Sequence, residues 1–369
     1  MTTPLYLRPM GLFMRALEAE AVADPEAIRS FASLPLSNTG HHFTAVEMAE
    51  RVGKAARRRL LTLDELFQRD WPQALELAAT VERLTQPRPR FAGLPMDRPH
   101  IMGIVNVTPD SFSDGGNYLT AKDAVAHALR LEEEGAEFLD IGGESTRPGA
   151  APVSLEEELA RVMPVIEGLV GKTRCRLSID TRKAEVMRRA ASSGIHMLND
   201  TSALTNDPRS LRVAVESRLP IVLMHAQGDP ASMQRDPRYQ NALLDVYDQL
   251  AARVDACVRA GITRERLIVD PGIGFGKTAL HNIELLAGLS LFHGLGTGVL
   301  IGASRKSFIA SLTGAVDPAE RLPGSIAAAL AGAMSGAQIL RVHDVAATRQ
   351  ALTIWEAAMT GTASQLLPM

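Results

Sequence analysis

Cysteine is nearly missing from this chain: Cys175 and Cys257 are the only two in 369 residues, and neither has a Cys-x-x-Cys neighbour. A disulfide framework is thereby excluded, and reduced thiols are the simplest reading. No apolar run is long enough to span a bilayer. The opening Met-Thr-Thr-Pro-Leu-Tyr-Leu-Arg-Pro lacks the charged-then-apolar plan of a signal peptide. The expectation is a cytoplasmic protein with no membrane partner. Nor is there an excess of one charge. A formal net charge of -3 argues against nucleic acid as the main partner. Hydrophobic content of 46% and charged content of 22% are ordinary for a globular enzyme. No glycine-rich dinucleotide turn follows the first strand of the main region, which counts against an open doubly wound sheet.

What is present is a recurring arrangement, best seen in Ile101–Gly116. An apolar run with the character of a buried strand breaks at Asn106 into a loop of small polar groups with two glycines. Strands that end in polar, mobile loops are how a parallel α/β protein presents chemistry. From Pro99 onward such runs alternate with amphipathic stretches. The strand candidates are Ile101–Val105, Phe138–Ile141, Leu177–Ile179, Met197–Leu198, Ile221–Met224, Leu267–Val269, Val299–Ile301 and Ile339–Val342. Eight strand-helix units in roughly 270 residues predict a (β/α)8 TIM barrel. Before them lies a small α-rich or α/β extension, with helix-like pieces at Ala45–Ala56 and Trp71–Leu84 and a basic run at Lys54 and Arg57–Arg59. The His41-His42 pair there has no third ligand at helical spacing and reads as solvated rather than metal-binding. Pro87-Arg88-Pro89-Arg90 reads as an extended connector, so the division falls between an extension, 1–90, and a separable catalytic barrel, 91–369.

A barrel places its active site where the strands end. Those positions carry Asn106, then Gly142–Gly149, Asp180-Thr181, Asn199-Asp200, His225 and Gln227, Asp270–Lys277, Ser304–Ser307, and Arg341–Asp344. Taken singly, an aspartate after a strand is more often a helix cap, and an asparagine a turn residue. Eight polar endings on one rim are harder to dismiss. Asp180, Asn199, Asp270 and Lys306 suit a flat heterocycle with ring nitrogens and an amino group. Arg147, Arg341, His343 and Asn106 suit an anion such as a diphosphate. Lys306-Ser307, at a predicted helix start, offers a second anion position. Two substrates follow, one of them carrying a phosphate leaving group.

The region Pro99–Ala363 closely resembles the dihydropteroate synthases. The resemblance is carried by Asn106-Val-Thr-Pro-Asp-Ser-Phe-Ser-Asp-Gly-Gly116, Gly142-Gly-Glu-Ser-Thr-Arg-Pro-Gly149 and Ser178-Ile-Asp-Thr181. Asn199-Asp200, Leu223-Met-His225, Asp270-Pro-Gly-Ile-Gly-Phe-Gly-Lys277, Ser304-Arg-Lys-Ser307 and Arg341-Val-His-Asp344 complete it, in the family's order. Ala226 departs from the Met that relatives commonly carry there, and the extension lies outside the family's core. The resemblance implies condensation of 6-hydroxymethyl-7,8-dihydropterin diphosphate with 4-aminobenzoate, Mg²⁺ assistance, sulfonamide competition and a homodimer. It implies that Asp180, Asn199, Asp270 and Lys306 hold the pterin, with Met224 and Arg341 against its faces. Asn106 would ligate Mg²⁺, while Arg147, Arg341 and His343 bind diphosphate. Thr146, Pro148, Phe275 and Ser307 would form the aminobenzoate site, closed by Phe112. Asp180, Asp270, Lys306, Arg147 and Arg341 are the expected catalytic set. Two other readings share part of this pattern. One is a pterin-binding methyltransferase barrel, which has no use for Ser304–Ser307 or Thr146–Gly149. The other is a non-catalytic pterin-binding paralogue, which would have shed charges that are present here.

Overall fold

The computed structural model describes residues 5–14, 32–53, 55–107, 121–145, 152–228 and 233–361. Strands β1 (Leu5–Met10), β5 (Ala45–Val52) and β6 (Ala55–Thr62) form an antiparallel sheet in the order β1-β5-β6. Strands β2 (Phe13–Met14), β3 (Leu34–Pro35) and β4 (His41–Phe43) form a second small sheet. Helices Leu63–Gln68 and Ala74–Thr85 follow.

The predicted helix-like piece at Ala45–Ala56 is therefore strand and hairpin instead. Its alanines and charges favour helix locally. Side chains on alternate positions decide the matter, with Val46 and Met48 entering the extension's own core beside Leu5, Leu7, Phe43 and Leu61. The opposite face of the same sheet meets the barrel: Tyr6 and Ala49 belong to the barrel's core cluster. One strand thus serves two cores through its two-residue period. Polar contacts reinforce the junction. The buried Arg88 guanidinium donates to the carbonyls of Arg83, His293 and Thr297 at 2.6, 3.1 and 3.2 Å. The connector, read as a spacer between separable pieces, is thus pinned to the barrel it leads into.

The eight predicted barrel strands are all present. They are β7 (His100–Asn106), β8 (Phe138–Gly142), β9 (Arg176–Asp180), β10 (Met197–Asp200), β11 (Ile221–Met224), β12 (Leu267–Asp270), β13 (Gly298–Ile301) and β14 (Ile339–Val342). All neighbours pair in parallel, and β14 returns to β7 to close the ring. Outward side chains such as Leu139, Ile141, Ile179 and Leu223 pack under the surrounding helices.

Inside the barrel, a lower ring of Met102, Phe138, Met197, Val222, Ile268, Leu300 and Ile339 is apolar and stoppered from below by Phe91 and Met96. Each of these large side chains contributes about 1.5–3 kcal/mol by leaving water. Two residues further along, on the same face of each strand, the chemistry changes: Phe138 gives way to Asp140, Met197 to Asn199, Val222 to Met224, Ile268 to Asp270 and Ile339 to Arg341.

Candidate active site

The upper ring is a bonded network. Arg341 Nε donates to Asp140 Oδ2 at 2.6 Å, and its Nη2 donates to Asp180 Oδ2 at 2.8 Å. Asn199 Nδ2 donates to the same Asp140 oxygen at 2.9 Å, so the orientation of the Asn199 amide is set. One guanidinium therefore serves two carboxylates. Burial, with Asp140, Asp200 and Glu158 nearby, pushes the Asp180 pKa up against the pull of Arg341. Gly142 and Gly302 line this cup. A Cβ on Gly142 would stand 3.6 Å from Asp180 Cβ, and one on Gly302 would stand 3.7 Å from Arg341 Cβ. Side chains there would occupy the space a flat ring needs.

Asp270 closes the other side. Its Oδ1 accepts the Gly272 N–H at 2.7 Å, and burial raises its pKa to about 6 despite that bond and the nearby Lys306. The turn after β12 runs at φ +68° at Gly272, where a Cβ would lie 1.9 Å from the His225 carbonyl oxygen. Only glycine lets the β11 and β12 ends approach so closely. Lys306 lies across this turn, and its ammonium stands 4.0 Å from the centroid of the Phe275 ring, a cation–π contact. Met224, Met233 and Phe275 form a small apolar cluster with Ala226 against it, so the departure at Ala226 falls in the pocket wall.

Around the mouth, Asn106 ends β7, and its side-chain amide has no hydrogen-bond partner among the described residues. His343 Nδ1 meets Ser304 Oγ at 3.1 Å. Burial, then Arg341, Arg305 and Lys306, depress the His343 pKa to about 3, which leaves the imidazole neutral near pH 7. Ser307 is the exposed first residue of helix Ser307–Thr313. Phe112, Thr146, Arg147 and Pro148 lie outside the described residues.

Comparison with known proteins now bears on this geometry. Residues 102–343 match the pterin binding enzyme family. The dihydropteroate synthase of Escherichia coli K12 is 48% identical over 267 residues, covering 72% of this chain and 94% of that protein. That of Neisseria meningitidis serogroup B is 51% identical over 267 residues, covering 71% and 93%. The chain belongs to the dihydropteroate synthase family. It is a transferase of folate biosynthesis. Among solved structures, a Xanthomonas albilineans dihydropteroate synthase with 4-aminobenzoic acid is 52% identical and matches with a TM-score of 0.69, covering 76% of this chain and 99% of that one. A Yersinia pestis dihydropteroate synthase with a sulfonamide drug is 46% identical, with a TM-score of 0.70 over 73% of this chain and 98% of that one.

Three features of this dihydropteroate synthase were given no role from sequence. Asp140 is wholly buried inside the apolar strand Phe-Leu-Asp-Ile-Gly, two residues from Phe138 on the inward face. A period-of-two reading of that strand would have found it. Lys277, also buried, donates to His225 Nδ1 and the Phe275 carbonyl, both at 2.9 Å, and to the His225 carbonyl at 3.3 Å. All three ammonium hydrogens are accounted for, and they staple the ends of β11 and β12 together. Burial still lowers the Lys277 pKa to about 7. Finally, the buried Glu158 accepts from Thr181 Oγ1 and Lys183 Nζ, both at 2.5 Å, while Lys183 also reaches Glu144 at 2.7 Å. This ties the segment after β8 to the end of β9.

Proposed function

We propose that this chain joins 6-hydroxymethyl-7,8-dihydropterin diphosphate to 4-aminobenzoate, giving 7,8-dihydropteroate and diphosphate. The observation that carries the reading is the upper ring with Lys306 beside it, in which half-buried Asp180, Lys306 and Arg341 and buried Asn199 and Asp270 bring carboxylates, an amide and cations together. A pterin edge supplies amino and ring N–H donors that carboxylates accept. Asp270 keeps Oδ2 for that purpose, because Oδ1 is taken by Gly272. Met224 supplies an apolar wall, and Arg341, fixed by Asp140 and Asp180, a guanidinium plane.

The aryl amine is neutral at pH 7 and needs no strong base. The hard step is departure of diphosphate from the pterin methylene, taking the C–O electron pair. Ionised Asp180 and Asp270 stabilise the positive charge left on the ring system, which favours an SN1-like course. The amine nitrogen then forms the new C–N bond and releases its proton. Arg147 and His343 are the proposed diphosphate contacts. Thr146, Pro148, Phe275 and Ser307, with Phe112, are the proposed aminobenzoate contacts. Mg²⁺ fits the donor set: it takes one or two protein oxygens plus phosphate oxygens, and Asn106 offers an amide oxygen at the mouth that has no partner among the described residues. It would offset charge on the leaving diphosphate.

The reading includes an extension, 1–90, packed against a catalytic barrel, 91–369, with small-molecule substrates and no nucleic-acid partner. The family match beginning at residue 102 supports the division. It further includes a homodimer and a cytoplasmic location; no helix among the described residues is long and apolar enough to cross a membrane. Diphosphate release that requires both substrates tests the reaction. Release independent of 4-aminobenzoate would overturn it.

A further inference from the structure

Arg51, on β5 in the extension, reaches across to the barrel. Its Nη2 donates to Asp245 Oδ1 and Asp248 Oδ2, both at 2.8 Å, and its Nε donates to the Tyr6 hydroxyl at 2.8 Å. The other Asp245 oxygen accepts the backbone N–H groups of Gln240 and Asn241 at 2.7 and 3.2 Å. Those two residues end the segment that leads from β11 into helix Ala242–Arg259. One carboxylate therefore joins the extension to a segment that starts inside the site.

The same segment is tied to the turn after β12. Tyr239 donates its hydroxyl to the Gly276 carbonyl at 2.8 Å. Gln227 and Arg238 close its neck with reciprocal bonds of 3.0 and 3.2 Å. Gly276 lies between Phe275 and Lys277, the two residues whose bonds shape that wall of the pocket. A continuous set of bonds thus runs from Arg51 through Asp245, Tyr239 and Gly276 to Phe275.

We infer that Arg51 is a positioning residue for the aminobenzoate side of the site, acting through Asp245 and Tyr239 on the turn that carries Phe275. The inference rests on the assignment of Phe275 to that side. A charge-assisted bond fixes one oxygen of Asp245, and so aims the other at the Gln240 and Asn241 N–H groups. Without Arg51 only those two N–H bonds hold the carboxylate, and the segment loosens. Tyr6 provides the contrast. Its hydroxyl accepts from Arg51 Nε and donates to Asp248 but makes no bond to Asp245 or to the segment, so Tyr6→Phe weakens the same interface while leaving the Arg51–Asp245 bond in place.

The test is steady-state kinetics on the full chain, with thermal melting alongside. Arg51→Met should raise KM for 4-aminobenzoate about three- to tenfold and leave kcat within about twofold. Tyr239→Phe should shift KM in the same direction, and the double variant should be no worse than the more affected single one. Tyr6→Phe should lower the melting temperature without moving KM. An unmoved KM in Arg51→Met, an equal rise in Tyr6→Phe, or a double variant equal to the product of the singles would each overturn the inference. Should Arg51→Met fail to fold, Arg51→Lys keeps a cation for Asp245 and should hold KM near the unsubstituted value. Tyr239→Phe with an unmoved KM then refutes the relay by itself. A chain that makes no 7,8-dihydropteroate at all strikes the proposed function instead.

Discussion

Asp180→Asn separates charge from shape at the centre of the cup. The amide fills the same volume and still accepts from Arg341, which keeps its second partner, Asp140, at 2.6 Å. What disappears is one negative charge beside the pterin as its C–O bond breaks. A unit pair about 4 Å apart is worth about 4 kcal/mol at an effective dielectric near 20. Asp270 stays and retains part of that stabilisation, so a loss of about 3 kcal/mol follows, roughly a hundredfold or more in kcat.

Stability should move the other way. Because the Asp180 pKa is raised in the folded protein, folding holds a proton that the unfolded chain has already lost. The stabilising contribution is complete below the ordinary carboxylate pKa of about 4 and vanishes as pH rises through the folded value. The amide escapes that loss, so the variant should melt no lower than the unsubstituted protein at pH 5 and higher at pH 8. Diphosphate release and a melting curve at both pH values measure the two effects. Near-native kcat at saturating substrates would refute the charge argument. A lower melting temperature at pH 8 would refute the claim that this carboxylate is held at a cost.

Other expectations follow from the same geometry. kcat/KM for the pterin diphosphate should climb with pH as Asp270 and Asp180 ionise, with an inflection near the raised Asp270 value of about 6, and Asp270→Asn should remove that inflection and leave only the rise due to Asp180; a flat profile from pH 5 to 7.5 in the unsubstituted enzyme refutes this. Lys183→Met leaves Glu158 buried without its cation and should cost about 3–5 kcal/mol in denaturant unfolding, much of it recovered by adding Glu158→Gln. No recovery would mean that the charge is not the source of the loss. 4-Aminobenzoate should bind weakly to the free enzyme and more tightly once a pterin and Mg²⁺-diphosphate are present, because the proposed diphosphate contacts, Asn106 at the end of β7 and Arg147 after β8, adjoin the two segments of the proposed aminobenzoate wall. Equal affinity by titration calorimetry in both conditions would show that the site is preformed.

The barrel strands were legible because each is a short apolar run with both faces buried, and a polar ending marks where each one stops. Helices Ser210–Ser217 and Ala279–Ala287, only eight and nine residues long, were not picked out, and of Ser307–Thr313 only the start was expected, at Lys306-Ser307. β5 was mistaken for helix because alanine and charged residues fit either period over so short a window, and the barrel surface beneath Tyr6 and Ala49 decided the outcome. In the site, Asp180 and Asp270 could be found because they stand last in their strands, and Asn199 because it stands one residue before the end of its own. Asp140 hid in the interior of one. The Lys277–His225 contact joins residues 52 apart in sequence, and the Arg51–Asp245 bond joins residues 194 apart; no local pattern announces either.

The two rings inside the barrel bear on how such a protein can change. Packing resides in the lower ring, where Phe138, Ile268 and Ile339 exclude water, and recognition resides two residues above it on the same strands. Replacing an upper residue alters what the cup accepts while the hydrophobic floor stays intact. Drift in ligand preference is therefore possible without passing through an unfolded ancestor. The route to a new specificity runs along one circle of side chains. The route to collapse runs along the circle below it.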